Sequence, residues 1–253
     1  YFVLKVMFYK KIEFICNEKY LKFTKIKPEP SVLNIPQWYK NLTHTFDNST
    51  IKGCIPFLDT LTAGYILKMP IDYRIKHNIK KDGVRHTHGS SVLEHDNKSS
   101  MSAKLNINKL DFEMHQINQL GKECPYIQKN KDLPIHKILN PWIIKTPPGY
   151  SCLFVPPLNN GDDRFEIISG IVDTDIFPTY INFPIILNGD KYPVLETTIE
   201  RGTPYAQVIP FKRDAWKMEM IEDDSRRAEL DMSIMGRFIH NYKTLFWNKK
   251  SWK

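Results

Sequence analysis

Three groups of residues in this 253-residue chain have the types and spacing to do chemistry. His86-Thr87-His88 puts two imidazoles on alternate residues, which share one face of an extended strand and could together bind a transition-metal ion. His95 and Asp96 follow closely, and His115 and His136 lie further along. No pair has helical HExxH spacing and no carboxylate is fixed by the pattern, so a solvated, histidine-containing loop (Arg85 to Gly89) competes with a metal site. The second group is Asp173-Thr174-Asp175, between two apolar runs. In a β-turn such carboxylates accept hydrogen bonds from local amides. The third is the tail, where Tyr242, Phe246, Trp247 and Trp252 are interleaved with lysines. That pattern can stack single-stranded nucleic acid, or clamp a terminal helix onto a core or a second subunit. There is no Walker loop, dinucleotide fingerprint or nucleophile elbow.

Composition narrows the class. The net charge of +8 admits an anionic partner, nucleic acid included, although the lysines are spread along the chain and also fit a plain Lys-rich surface. Cys16, Cys54, Cys124 and Cys152 show no CxxC spacing and read as free, mostly buried thiols in a reducing compartment. No apolar run reaches the roughly 18 residues of a membrane span, so no membrane partner is expected. The apolar start lacks a signal-peptide cleavage site. It also lacks an initiator Met, which places the native start upstream or marks it as trimmed. The expected location is the cytosol or a packaged particle.

Seventeen prolines against eleven glycines, interrupting short apolar runs, favour strands and ordered loops. Residues 2–16 read as β, Lys27–Pro30 as a stiff connector, and Pro36 as the start of a short helix with Trp38 and Tyr39 packed inward. Cys54 to Leu61 reads as a compact apolar turn, and Gly64 as a bend ahead of the strand Ile66–Met69. Residues 73–140 are polar and read as an insertion carrying a hairpin around Asp82-Gly83, a flexible piece at 97–103 and a short helix near 108–120. Pro147-Pro148-Gly149-Tyr150 is a pre-set corner. Strands are expected at Ser151–Val155, Phe165–Val172, Tyr180–Leu187 and Tyr205–Phe211. Asn188-Gly189-Asp190 and Arg201-Gly202-Thr203 read as hairpin turns. A helix capped by Asp223, Asp224 or Ser225 follows, with Leu230, Ile234, Phe238 and Tyr242 on one face. The chain thus reads as a single domain: residues 1–72, the insertion 73–140, a β core 141–213, and a helix with a basic aromatic tail, 214–253.

The order TAGYIL (62–67), TPPGYSCLFVPP (146–157), SGIVDTDIFPTYINFPIIL (169–187) and ERGTPYAQVIPF (200–211) resembles the motif order of the dUTPase and dCTP deaminase superfamily. The resemblance implies a mainly β, α+β protein with a β-clip or distorted barrel, and homotrimers. Over most of its length the chain resembles more closely a family of uncharacterised tailed-phage proteins, cyanophage-like in type, through IPQWYK, GCIPFLDTLTAGYI, NPWIIKTPPGYSCLF, GIVDTD and AQVIPFKRDAWKM. By resemblance, Asp173 stands where the superfamily places its water-activating carboxylate, and Asp175 also matches. Tyr65, Tyr150 and Gln207 lie in the matching motifs, and Arg164 and Arg201 are the basic side chains a pocket around Asp173 would need. The chain departs from the pattern where it matters for phosphate: Ile66 replaces the first-motif Asp, Ile176 the Tyr under the sugar, and Pro156-Pro157-Leu158-Asn159 the Arg-Ser-Gly phosphate clamp. Glu166, Glu196 and Glu200 fall in no deaminase motif.

The expectation is therefore a viral, phage-type β-clip protein without enzymatic activity or cofactor. It would act as a structural or interaction module, as a homo-oligomer (a trimer by analogy) or with other viral proteins, through Tyr242, Phe246, Trp247 and Trp252. A divergent nucleotide hydrolase using Asp173, with Asp175 and Mg²⁺, is the alternative. Nucleic-acid binding through the tail is a third reading.

Overall fold

Alternation of buried and exposed residues along Tyr73–Ile79 is what a strand with one face on a core requires: Tyr73, Ile75 and His77 are buried while Arg74, Lys76 and Asn78 are exposed. Similar stretches recur through the computed structural model, which describes residues 10–45, 47–79, 85–91, 113–115, 117–131, 133–223, 225 and 242–253. In chain order the strands are β1 (Glu13–Ile15), β2 (Glu29–Pro30), β3 (Tyr65–Lys68), β4 (Tyr73–Ile79), β5 (Arg85–Ser91), β6 (Glu113–His115), β7 (Ile135–Ile138) and β8 (Ile143–Lys145). They continue with β9 (Tyr150–Val155), β10 (Phe165–Ile167), β11 (Gly170–Val172), β12 (Phe183–Leu187), β13 (Val194–Ile199) and β14 (Pro204–Lys212). The described helices are short: α1 (Glu18–Thr24), α2 (Gln37–Asn41), α3 (Ile55–Thr62) and α4 (Pro125–Asn130). The chain is a mainly β protein of the α+β class, as its sequence predicts.

All described strand pairs are antiparallel. They form a five-stranded sheet in the order β11-β9-β14-β3-β2, a four-stranded sheet β10-β12-β7-β6, a three-stranded sheet β13-β4-β5 and the pair β1-β8. The core runs between the sheets. Phe183 of β12 packs on Phe154 of β9 and Tyr205 of β14 at centroid separations of 5.4 and 5.5 Å, and Leu67, Ile75, Ile138, Ile144 and Val208 close around them. Gly64 sets the approach of β3 to β14: its φ is +66°, and a Cβ there would lie 2.0 Å from the Val208 carbonyl oxygen.

Several expectations need correction. Arg85 to Gly89 is no loop: it belongs to β5, paired with β4 over its whole length. Its polar sequence hid it, because a strand without an apolar face carries no alternation signal. Residues 113–115 are strand and 117–120 a 3-10 turn, where a short helix was expected. The expected strand 165–172 breaks in two, since β10 joins β12 while β11 joins β9. Asn188–Asp190 and Arg201–Thr203 link different sheets and make no hairpins. Cys54–Leu61 coils into α3, and Trp38 stays 47% exposed although Tyr39 is buried. The four cysteines are free, but only Cys152 is buried. Tyr73 and Ile75, at the start of the polar stretch, are core residues. The Asp82-Gly83 turn, the 97–103 piece, His95, Asp96 and the helical stripe Leu230, Ile234 and Phe238 lie outside the described residues.

Candidate functional site

Pro147-Pro148-Gly149-Tyr150 makes a type II turn. Pro148 occupies its second position, Gly149 takes φ +83° at the third, and the Tyr150 amide donates to the Pro147 carbonyl at 3.2 Å. This corner starts β9. On one side of β9, β11 ends in the turn Val172–Phe177, whose Phe177 and Ile176 amides donate to the Asp173 carbonyl at 2.9 and 3.1 Å. On the other side, β14 ends at Lys212 opposite Tyr150. Three chain segments therefore meet at one end of the five-stranded sheet.

Arg213, the first residue after β14, ties them together. Its Nη1 and Nη2 donate to the two carboxylate oxygens of Asp175 at 2.9 and 2.5 Å, a bidentate pair. Nη1 also lies 3.1 Å from Asp173 Oδ1 and donates to Ser151 Oγ and the Tyr150 carbonyl. The Arg213 amide donates to the Gly149 carbonyl at 2.8 Å, and the Gly149 amide donates to Asp175 Oδ2 at 2.8 Å. Ser151 Oγ donates to Asp173 Oδ1 at 2.6 Å. Below, the buried Thr174 hydroxyl donates to Cys152 Sγ at 3.3 Å and lies 2.7 Å from Thr146 Oγ1.

The electrostatics follow from the geometry. The Arg213 guanidinium, joined by the Gly149 amide, holds the Asp175 carboxyl down to about 2. Only 6% of the Asp175 side chain is exposed, against 51% of that of Asp173. Burial raises the Cys152 thiol to about 11, so it stays protonated and inert.

Of the other predicted ligand residues, only Tyr150 reaches this site, and through its backbone. Tyr65 donates to the Lys253 carbonyl at 3.2 Å and meets Trp252 edge-on. Tyr150 lies beneath the Lys10 ammonium, 5.7 Å from its ring centroid. Arg164 is bound by Asp162 and reaches Thr197 Oγ1 and the Thr198 carbonyl on β13. The Arg201 amide donates to Asp72. Gln207, expected at a ligand, is buried and cross-links the core, accepting from the Leu158 amide and donating to the carbonyls of Thr60 and Ala63. Glu166 pairs with Lys129, and Glu196 with Arg74 and Lys76.

His86 and His88 stand at alternate positions of β5, but their side chains lie outside the described residues. His136 is buried on β7 beside Tyr73, whose hydroxyl lies 2.7 Å from Nδ1, and burial lowers its imidazole to about 4. Among the described residues no group of three or more His, Cys, Asp or Glu is placed to hold a metal ion. No helix among them is long and apolar enough to cross a membrane.

The tail divides. The Trp247 indole N–H donates to both Asp59 carboxylate oxygens, and Lys250 pairs with Asp59 at 2.5 Å. Trp247 and Trp252 thus anchor the tail to α3 and β3 of the same chain, while Tyr242 and Phe246 remain exposed. Sequence reasoning missed Arg213 and Ser151. The one available signal was a lone Arg directly after the last strong strand.

Compared with family models, with curated proteins and with solved structures, the chain matches none.

Proposed function

We propose that the chain is a non-enzymatic assembly module of a tailed virus, a β-clip protein whose dUTPase-like motif residues hold the fold together. The Arg213 clamp carries this reading: the guanidinium takes Asp175 with both donors and also reaches Asp173 and Ser151. An anion reaching Arg213 would compete with two carboxylates that already hold its Nη1 and Nη2. The β-clip resemblance draws on topology: TAGYIL, TPPGYSCLFVPP and ERGTPYAQVIPF fall on β3, β9 and β14, neighbours in one sheet, while 169–187 begins on β11 of that sheet and ends on β12 of the four-stranded one. The module would work as a homo-oligomer or with other viral proteins, in the host cytoplasm or the virion.

One observation favours the nucleotide-hydrolase reading: the Asp173 carboxylate is half exposed beside Arg213. Thermal unfolding with dUTP, dCTP, the other nucleotides and Mg²⁺ separates the two. A ligand at about a hundred times its dissociation constant adds nearly 3 kcal/mol. The assembly reading expects no shift. A nucleotide-specific shift that Asp173→Asn abolishes would overturn it.

A further inference from the structure

Beyond the clamp the chain does something a lone soluble molecule rarely does. Residues 214–222 run on without regular structure, and within them Trp216 is 91% exposed, Met218 82%, Met220 88% and Ile221 67%. Residues 215–222 make no hydrogen bond and no ion pair with the described residues. Trp216, Met218 and Met220 sit at alternate positions, so an extended backbone presents all three on one face, above a full row of unused amides and carbonyls.

The same molecule carries a matching edge. β11 is the last strand of its sheet, with no partner on its outer side among the described residues. Ile171 at its centre is 63% exposed, and Ile176 and Tyr180 extend the apolar surface beyond it. Two other edges are blunted: Arg164 occupies the Thr198 carbonyl of β13, and β2 is two residues long and ends in Pro30. β11 has no proline and no charged residue.

We propose that this arm of one copy adds as an extra strand to the β11 edge of a second copy, so that the chain self-assembles by arm exchange. The inference rests on the assembly reading and names its partner. Three observations select a second copy as the occupant. The arm cannot serve its own edge: β11 and β14 both run antiparallel to β9 and so run the same way, which sends the arm past the end of β11. Arg213 pins its root there, residues 214–222 contain no Gly, Pro or Asn to turn the chain within the segment, and the tail meets α3 and β3 of the same chain at Trp247 and Trp252. Long-range charge also draws this segment to another copy, because residues 214–223 carry four carboxylates against one lysine on a chain whose net charge is +8. Finally, arm exchange brings the exposed Trp216, Met218, Met220 and Ile221 of one copy against the exposed Ile171, Ile176 and Tyr180 of the other, removing from water two apolar surfaces that a lone copy leaves open.

Sedimentation velocity on the whole chain tests this. The wild-type protein should sediment as an oligomer. Met218→Asp with Met220→Asp (arm-dead) and Ile171→Lys (edge-dead) should each weaken association at least about tenfold, with the circular dichroism unchanged and the unfolding midpoint lowered only at concentrations where the wild type associates. Mixing the two variants leaves one intact arm facing one intact edge and should give a mixed dimer that neither forms alone. A wild-type monomer at every concentration overturns arm exchange, and so does an oligomer indifferent to both variants. Neither result touches the assembly reading if nucleotides still fail to bind. Arm exchange accompanied by nucleotide turnover at Asp173 would sink that reading and keep this one.

Discussion

Asp175 links a single side chain to the acid stability of the protein. Its folded-state value of about 2 lies below the ordinary carboxylate value of ~3.9. A depressed carboxyl contributes stability above the unfolded value and loses it as pH falls through the folded one. The unfolding midpoint should therefore drop between about pH 4 and pH 2, and Asp175→Asn should remove that component of the titration. His136 acts in a higher window. Burial holds its imidazole near 4 against an ordinary value of 6.5, so the folded state resists protonation that the unfolded chain accepts. Stability should be fully present above pH 6.5 and decline as pH falls towards 4, by ~3 kcal/mol. Urea titrations across that range check this, and His136→Gln should flatten the curve.

At the level of elements, the approach of β3 to β14 depends on one missing side chain. Gly64→Ala puts a methyl group against the Val208 carbonyl at a positive φ and should cost about 3 kcal/mol or more, seen as a lower urea midpoint or a loss of soluble protein. The tail clamp is gentler. Asp59→Ala removes the acceptor shared by Trp247 and Lys250, and should shift tryptophan emission to the red with little change in the unfolding midpoint.

The strands that carry the β-clip resemblance were legible because Pro, Gly and Asp punctuate them: Pro147-Pro148-Gly149 predicts its turn, and GIVDTD its strand and turn. β5 was not legible, since Arg85 to Ser91 lacks an apolar face to alternate. The split between β10 and β11 was also hidden, because which sheet a short apolar run joins depends on partners distant in sequence. Arg213 escaped for the same reason: it lies 38 residues from Asp175, and local pattern carries no sign of that pairing.

On the scale of the whole molecule, the sheets depend on the aromatic cluster between them. Phe183→Ala should cost about 3–5 kcal/mol, because Phe154 and Tyr205 would then line a cavity. The arm and the β11 edge lie outside that core, so substitutions there should change assembly and leave the unfolding of the separated copies unaltered. The clamp stands between the two. It joins the corner before β9, the turn after β11 and the root of the arm, and so couples the sheet to the segment that leaves it.

The decisive measurement is thermal unfolding of Arg213→Ala, Asp175→Asn and the double variant at pH 7. Residues that hold a fold lower the midpoint when removed, and a directly bonded pair does so non-additively. Residues kept for a ligand often leave stability unchanged or raise it when removed. The assembly account predicts that each single variant melts below wild type and that the double variant melts little lower than either. Midpoints equal to or above wild type would contradict it and return Asp173, Asp175 and Arg213 to the role of a ligand site.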